Sequence, residues 1–473
     1  MIYIVLFLYL GFTFWGSLIG SNKEEATPES YFLADRSLTT LSLFFTILAT
    51  NFSAFYFLGF AGEAYRIGYS HYVIMSIGTA LAGLSFLIIG TKVWKLGKEH
   101  SYITPSELIY GQTKSRSLAL IFSLVMIIFT LPYLALQIVG GGYILESLTG
   151  GDISYPLAIV LLTIFTIIYV ILGGMKSVAK TDLKQGLIVI IFMTLAVFLI
   201  AKDLGGLSKA NQLAKELVPD LFSDTGVGDH FSAKKWFSLI VFWFFCVPMF
   251  PQLFMRFYIA KDVSHLKKSA MLYAAIPIFI SILPVMIGVW GHVSFPELAG
   301  KESDQILPMM LVEHTTDWFA AIVMTGAIAA FMSTLDSQLL ALSTMITRDF
   351  IIPFKKEAMD FKREVFTGRV LVGVIALVGL LIALNPFDTI FDMGKMAFSG
   401  LAILFPVALA VTRFRLVRPN LAIAGILISL ILLFGFYYNW IPAKFTFGFE
   451  SFMVLILVSF VFCFLGVQRS SEQ

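Results

Sequence analysis

The chain has 473 residues, of which 58% are hydrophobic and only 13% charged, with a formal net charge of +3. Soluble domains carry about a quarter charged residues, so this composition excludes a cytosolic enzyme or a disordered chain, and the small net charge gives no sign of a nucleic-acid partner. What remains is an all-α polytopic membrane protein whose main partner is the lipid bilayer.

Crossing the hydrocarbon takes about 20 apolar residues, and about thirteen runs qualify as helices. In chain order they are 2–20, 40–64, 70–93, 117–145, 154–172, 183–201, 236–256, 269–292, 316–345, 367–384, 389–411, 420–438 and 451–468. The first run has no basic leader or small-residue cleavage site, so it is read as a span. With the N-terminus outside and the C-terminus inside, the inner loops hold roughly three times as many lysines and arginines as the outer ones, as the positive-inside rule requires. The long outer loop 203–235 reads as a solvated connector, although Leu207, Leu213, Leu217 and Leu221 also suit a surface helix. Cys246 and Cys463 lie in apolar runs, and the six histidines form no paired motif, so neither a metal centre nor a catalytic set is indicated.

Four stretches carry polarity that lipid does not tolerate unless it faces protein or a cavity. In 40–64, Thr46, Thr50, Asn51 and Ser53 gather at mid-span with small residues. That pattern suits either a close helix contact or a broken helix whose freed carbonyls bind an alkali cation. The span 236–256 carries Pro248 and Pro251, which no regular helix accommodates. Trp243, Phe244 and Phe245 would wall a solute site there, with Gln252 offering an amide; an inert kink is the other reading. After Gly173-Gly174, Asp182 opens the sixth span, as a helix cap or as a site acid. In 316–345, Ser333, Asp336 and Ser337 share one face, an oxygen-rich stripe suited to a hard cation. Lys395, seven residues after Asp388 and three after Asp392, reads as a local ion pair or as a solute-facing cation.

Together these residues resemble the sodium:solute symporters. The stretch Tyr169 to Ser177 with Thr181-Asp182 is similar to the family signature. The run Ala330-Phe331-Met332-Ser333-Thr334-Leu335 resembles its sodium-site helix, and Gly400 to Pro406 is also shared. The resemblance implies a LeuT-type core of two inverted five-helix repeats, at 37–202 and 236–415. Residues 1–36 and 416–473 would be peripheral.

It further implies sodium-coupled symport of a small organic solute, without enzyme chemistry, by a monomer in the plasma membrane. Sodium would be held by Ala49, Phe52, Ala330, Ser333 and Thr334. A second sodium site would use Asp182, Ser333, Asp336 and Ser337. The solute would meet Asn51, Ser53, Tyr133, Gln137, Trp243 and Gln252. Proline-type relatives tend to carry an aspartate where Asn51 stands, which argues against proline itself. A proton-coupled symporter of the same fold is the alternative; it would depend on titration of Asp182 or Asp336.

Overall fold

The computed structural model describes residues 3–5, 11, 33–172, 190–355 and 359–468. They are helical apart from short connectors and a two-residue antiparallel pairing of Arg415 with Gln468 and Leu416 with Val467. Leu-, Ile- and Phe-rich runs become helices because backbone polar groups in lipid must be satisfied within the segment.

The expected span 40–64 is two helices, α1 (Thr40–Asn51) and α2 (Phe55–Ile67), bent by 61°. No proline makes this break. Phe52 leaves helical geometry at φ −80° and ψ 79°, and the freed amide of Ala54 is taken up by Gln137 Oε1 at 3.0 Å. Next come α3 (Ser70–His100), α4 (Pro105–Thr113), α5 (Arg116–Leu148), α6 (Tyr155–Leu172) and α7 (Ile190–Asp203). The loop 203–235, read as a solvated connector, instead contains α8 (Leu207–Leu217), docked through buried Ala210 and Ala214. Asn211 Oδ1 anchors it, accepting from Tyr69 Oη at 2.6 Å and Trp290 Nε1 at 2.9 Å.

The second broken span is α9 (Ala233–Met249) with α10 (Pro251–Tyr258), bent by 60°. Here the prolines are the cause: each lacks an amide donor, and Phe250 between them is extended, at φ −65° and ψ 123°. Then follow α11 (Val263–Ser294), α12 (Ile306–His314), α13 (Asp317–Phe354), α14 (Phe361–Leu384), α15 (Ile390–Arg413), α16 (Pro419–Tyr437) and α17 (Ser451–Leu465). The most apolar window of α13 is 89% buried and that of α14 only 22%, so α13 is the central strut and α14 belongs to the lipid-facing rim. Most of the expected first span, 2–20, lies outside the described residues, as do the start of the sixth and Asp182.

Candidate functional site

The buried polar face of α13 meets the break between α1 and α2. Thr334 Oγ1 lies 3.1 Å from the Thr50 carbonyl, 3.4 Å from that of Ala49 and 3.3 Å from that of Ala330. A hydroxyl donates one proton at a time, so these carbonyls keep lone pairs to spare. Ser333 is buried beside Thr334, and Phe52 stands at the break itself. Neutral carbonyl and hydroxyl oxygens from two chain segments make a donor set that fits a hard monovalent cation. Of the expected ligands, Ala49, Ala330 and Thr334 converge directly, and the Thr50 carbonyl joins them without having been anticipated.

One turn along α13, the Ser337 hydroxyl donates to the Ser333 carbonyl at 2.8 Å and lies 3.3 Å from Asp336 Oδ1. Tyr169 Oη is 3.0 Å from Asp336 Oδ2 and 3.1 Å from the Met332 carbonyl. Arg256, on α10, was not anticipated at all. It is fully buried and donates from Nη2 to Ser337 Oγ at 2.7 Å, from Nε to Thr46 Oγ1 at 3.1 Å and from Nη1 to the Gln252 carbonyl at 3.0 Å. A lone arginine ending an apolar run was its signal: a cation at membrane depth needs partners in the protein interior.

The six expected solute contacts divide in two. Asn51 Nδ2 donates to the Tyr273 hydroxyl. Tyr133 Oη donates to Ser53 Oγ at 3.4 Å, and Gln137 Nε2 donates to the Tyr133 carbonyl at 3.0 Å. These four are tied into the protein. Trp243 Nε1 and both amide atoms of Gln252 are buried without a hydrogen-bond partner among the described residues. Gln252 sits four residues before Arg256, on the same face of α10 and one turn nearer the break. Trp243 belongs to a ring cluster, with centroids 5.6 Å from Phe55 and 5.8 Å from Phe398; Phe398 also packs on Tyr133 and Phe250 at 4.7 Å each. The indole lies against Gly78, where a Cβ would stand 2.2 Å from Trp243 Cδ1. Lys395 pairs with Asp392 at 3.1 Å, the local ion pair.

Residues 31–432 match the model of the sodium:solute symporter family. The sodium/pantothenate symporter of Haemophilus influenzae is 26% identical, over 85% of this chain and 82% of its own. The sodium/proline symporter of Salmonella typhimurium is 25% identical, over 98% and 90%. Among solved structures, a Na+-coupled sialic acid symporter in a substrate-bound outward-open state superposes with a TM-score of 0.81 at 19% identity, covering 99% of both chains. Mhp1, a nucleobase-cation-symport-1 family transporter, superposes with a TM-score of 0.66 at 15% identity, covering 92% and 93%. At these identities the superpositions establish a shared LeuT-type fold.

Proposed function

The chain belongs to the sodium:solute symporter family, and from that premise we propose how this molecule carries out sodium-coupled symport of a small organic solute. It is a transporter, not an enzyme, and sodium is the coupling ion. On our reading sodium is held by the carbonyls of Ala49, Phe52 and Ala330 with the hydroxyls of Ser333 and Thr334. The Thr50 carbonyl adds a further oxygen. The observation that carries this is the position of Thr334 Oγ1 among three carbonyl oxygens from two chain segments.

An ion there bridges α1, in a repeat spanning 37–202, to α13, in a repeat spanning 236–415. It therefore favours the arrangement in which the two are apposed, and solute binding beside the breaks gains affinity by reciprocal linkage. Trp243 and Gln252 are the solute contacts best supported by their unpartnered polar atoms. Asn51, Ser53, Tyr133 and Gln137 shape the break beside them. Asp182, Ser333, Asp336 and Ser337 form a second cation site, and Arg256 fixes Ser337 by donating to its hydroxyl.

The protein works as a monomer in the plasma membrane, N-terminus outside and C-terminus in the cytoplasm. Each sodium entering gains about 2.3 kcal/mol per 100 mV of membrane potential. Uptake driven by an imposed sodium gradient in proteoliposomes tests the proposal. Thr334→Ala should raise the half-saturating sodium concentration at least about tenfold, the loss of roughly 1.4 kcal/mol of binding. Unchanged sodium dependence would reject the site.

A further inference from the structure

The amide that opens α1 is capped from another helix. Thr39, the residue before it, makes no capping bond with its side chain. Instead the Thr40 amide donates to Nδ1 of His265, on α11, at 3.0 Å, and the Thr40 hydroxyl lies 2.7 Å from the same nitrogen. An amide can only donate, so Nδ1 carries a lone pair and the ring proton sits on Nε2. Ser269, one turn further along α11, donates its hydroxyl to the Thr40 carbonyl at 2.8 Å. The backbone ties the same corner: the Leu38 amide donates to the Ile259 carbonyl at 3.2 Å, and the Lys261 amide to the Leu38 carbonyl at 2.9 Å.

What α1 carries makes this cap matter. Cut at Phe52, the helix has only 12 residues, a length at which a helix depends on its packing and its ends. Its last turn supplies the carbonyls of Ala49 and Thr50 to the cluster around Thr334. The His265 side chain is 28% exposed, so water reaches the ring while Nδ1 holds the amide. A protonated imidazole donates from both nitrogens. The Thr40 hydroxyl can turn to accept from it, but the amide is then left facing an N–H, and a cation stands at the positive end of the helix dipole. The counter-charge for that proton is Asp262, 3.8 Å from Nε2, which itself caps α11 by accepting the Ser264 and His265 amides. Lys261 precedes it, and Lys267 and Lys268 follow on α11. α1 has no charged residue; Asp35 and Arg36 come before it, with Arg36 donating to the Tyr258 and Gly97 carbonyls. α3 packs on α11, where a Cβ at Gly83 would come 2.7 Å from that of Ala274, and ends in Lys92, Lys95, Lys98 and Glu99.

We infer that His265 is a positioning residue for sodium binding, a cap that responds to cytoplasmic protons: the unprotonated ring holds the first turn of α1, and through it the sodium-site carbonyls, and protonation releases both. The link to transport rests on the sodium site and the orientation proposed above, which put this corner in the cytoplasm and the ion at the other end of α1. Cytoplasmic acid therefore lowers sodium affinity without any proton being carried across the membrane.

The test uses the full-length protein in detergent, with sodium titrated by thermal shift at about pH 8 and about pH 5.5, the range over which imidazoles as a class change charge. The comparison is His265→Asn, whose amide oxygen replaces Nδ1 as an acceptor and does not titrate. Loss of an N-cap shifts a helix equilibrium about fivefold. The unmodified protein should therefore need about fivefold more sodium for the same stabilisation at the acid pH, and His265→Asn the same amount at both. His265→Ala should need the larger amount at both. Hydrogen exchange of the peptide covering 38–44 reads the cap itself: the unmodified protein should exchange faster than His265→Asn at the acid pH and at the same rate at the alkaline one. An equal sodium requirement at the two pH values in the unmodified protein overturns the proposal, as does a pH dependence that His265→Asn retains in full. Should His265→Ala fail to fold, the asparagine comparison decides alone. No sodium response in the unmodified protein at either pH would defeat the sodium site, while the exchange comparison still decides the cap.

Discussion

Arg256 Nη2 donates to Ser337 Oγ at 2.7 Å, joining α10, in one broken span, to the cation-site face of α13. The same guanidinium reaches Thr46 on α1, so one side chain gathers three helices beneath the cluster of oxygens around Thr334. A planar fork with donors in fixed directions does this; an ammonium does not. Arg256→Lys is therefore expected to lower the thermal midpoint of the detergent-purified protein and to cut sodium-driven uptake severalfold. Arg256→Met should cost about 2–4 kcal/mol through lost charge-assisted bonds and stranded partners. Lysine and arginine giving equal midpoints and equal uptake would show that the fork geometry is irrelevant.

A second prediction concerns shape rather than charge. A methyl on Gly78 would stand 2.2 Å from Trp243 Cδ1, and an indole packed against helix backbone has little room to retreat. Gly78→Ala should destabilise by about 1–3 kcal/mol, the usual overpacking range, and should weaken solute uptake by displacing the ring. Gly326, on α13, is the control, because the nearest atom to its added Cβ is 3.9 Å away. Gly326→Ala should be neutral or slightly stabilising, since alanine is the better helix former. Thermal unfolding of the two variants side by side separates crowding from helix propensity.

The third prediction concerns pH. Burial pushes the Asp304 carboxyl up to about 7, against the pull of the Arg66 guanidinium and the Ile390 amide. The charged groups around it are Glu63 and Arg66 on α2, with Lys301 and Glu302 beside it in the chain. In the unfolded chain Asp304 meets water and returns to the ordinary carboxylate range, so the folded form holds the proton more tightly. The stability this contributes is fully present below the ordinary carboxylate range and is lost as pH rises through about 7. The thermal midpoint of the purified protein should therefore fall as pH rises through this window, and Asp304→Asn should flatten the profile. The same pH dependence in both proteins would contradict it.

The features legible in the sequence were those with a local cause. Pro248 and Pro251 announce the second break because each deletes a backbone donor. The oxygen-rich face of α13 follows from Ser333, Asp336 and Ser337 at helical spacing. The first break was legible only as a concentration of small and hydroxyl residues; the group that stabilises it, Gln137, is 83 residues away from the Ala54 amide it accepts. Arg256 was hidden for a similar reason: its partners Thr46 and Ser337 lie on other helices. The loop 203–235 misled because leucines in a charged stretch suit a solvated turn as well as a docked helix, and the docking residue, Asn211, is polar. Asp304 looked like any loop acid, since nothing in its neighbours says that Gly62 will leave it a recess. Asp182 lies outside the described residues, so its choice between cap and site acid rests on experiment: Asp182→Asn with unchanged sodium stoichiometry supports the cap.

The most direct test of the central claim is a sodium titration of thermal stability in the purified protein, at constant ionic strength with choline as the replacement cation. An ion held between α1 and α13 stabilises the native state by mass action, by about 2.7 kcal/mol at a hundredfold excess over its dissociation constant. The unmodified chain should show a sodium-specific rise in midpoint. Thr334→Ala should require at least about tenfold more sodium for the same rise, and Thr334→Ser should restore most of the response. A sodium response identical in all three proteins would contradict the assignment of the Thr334 cluster as the coupling-ion site.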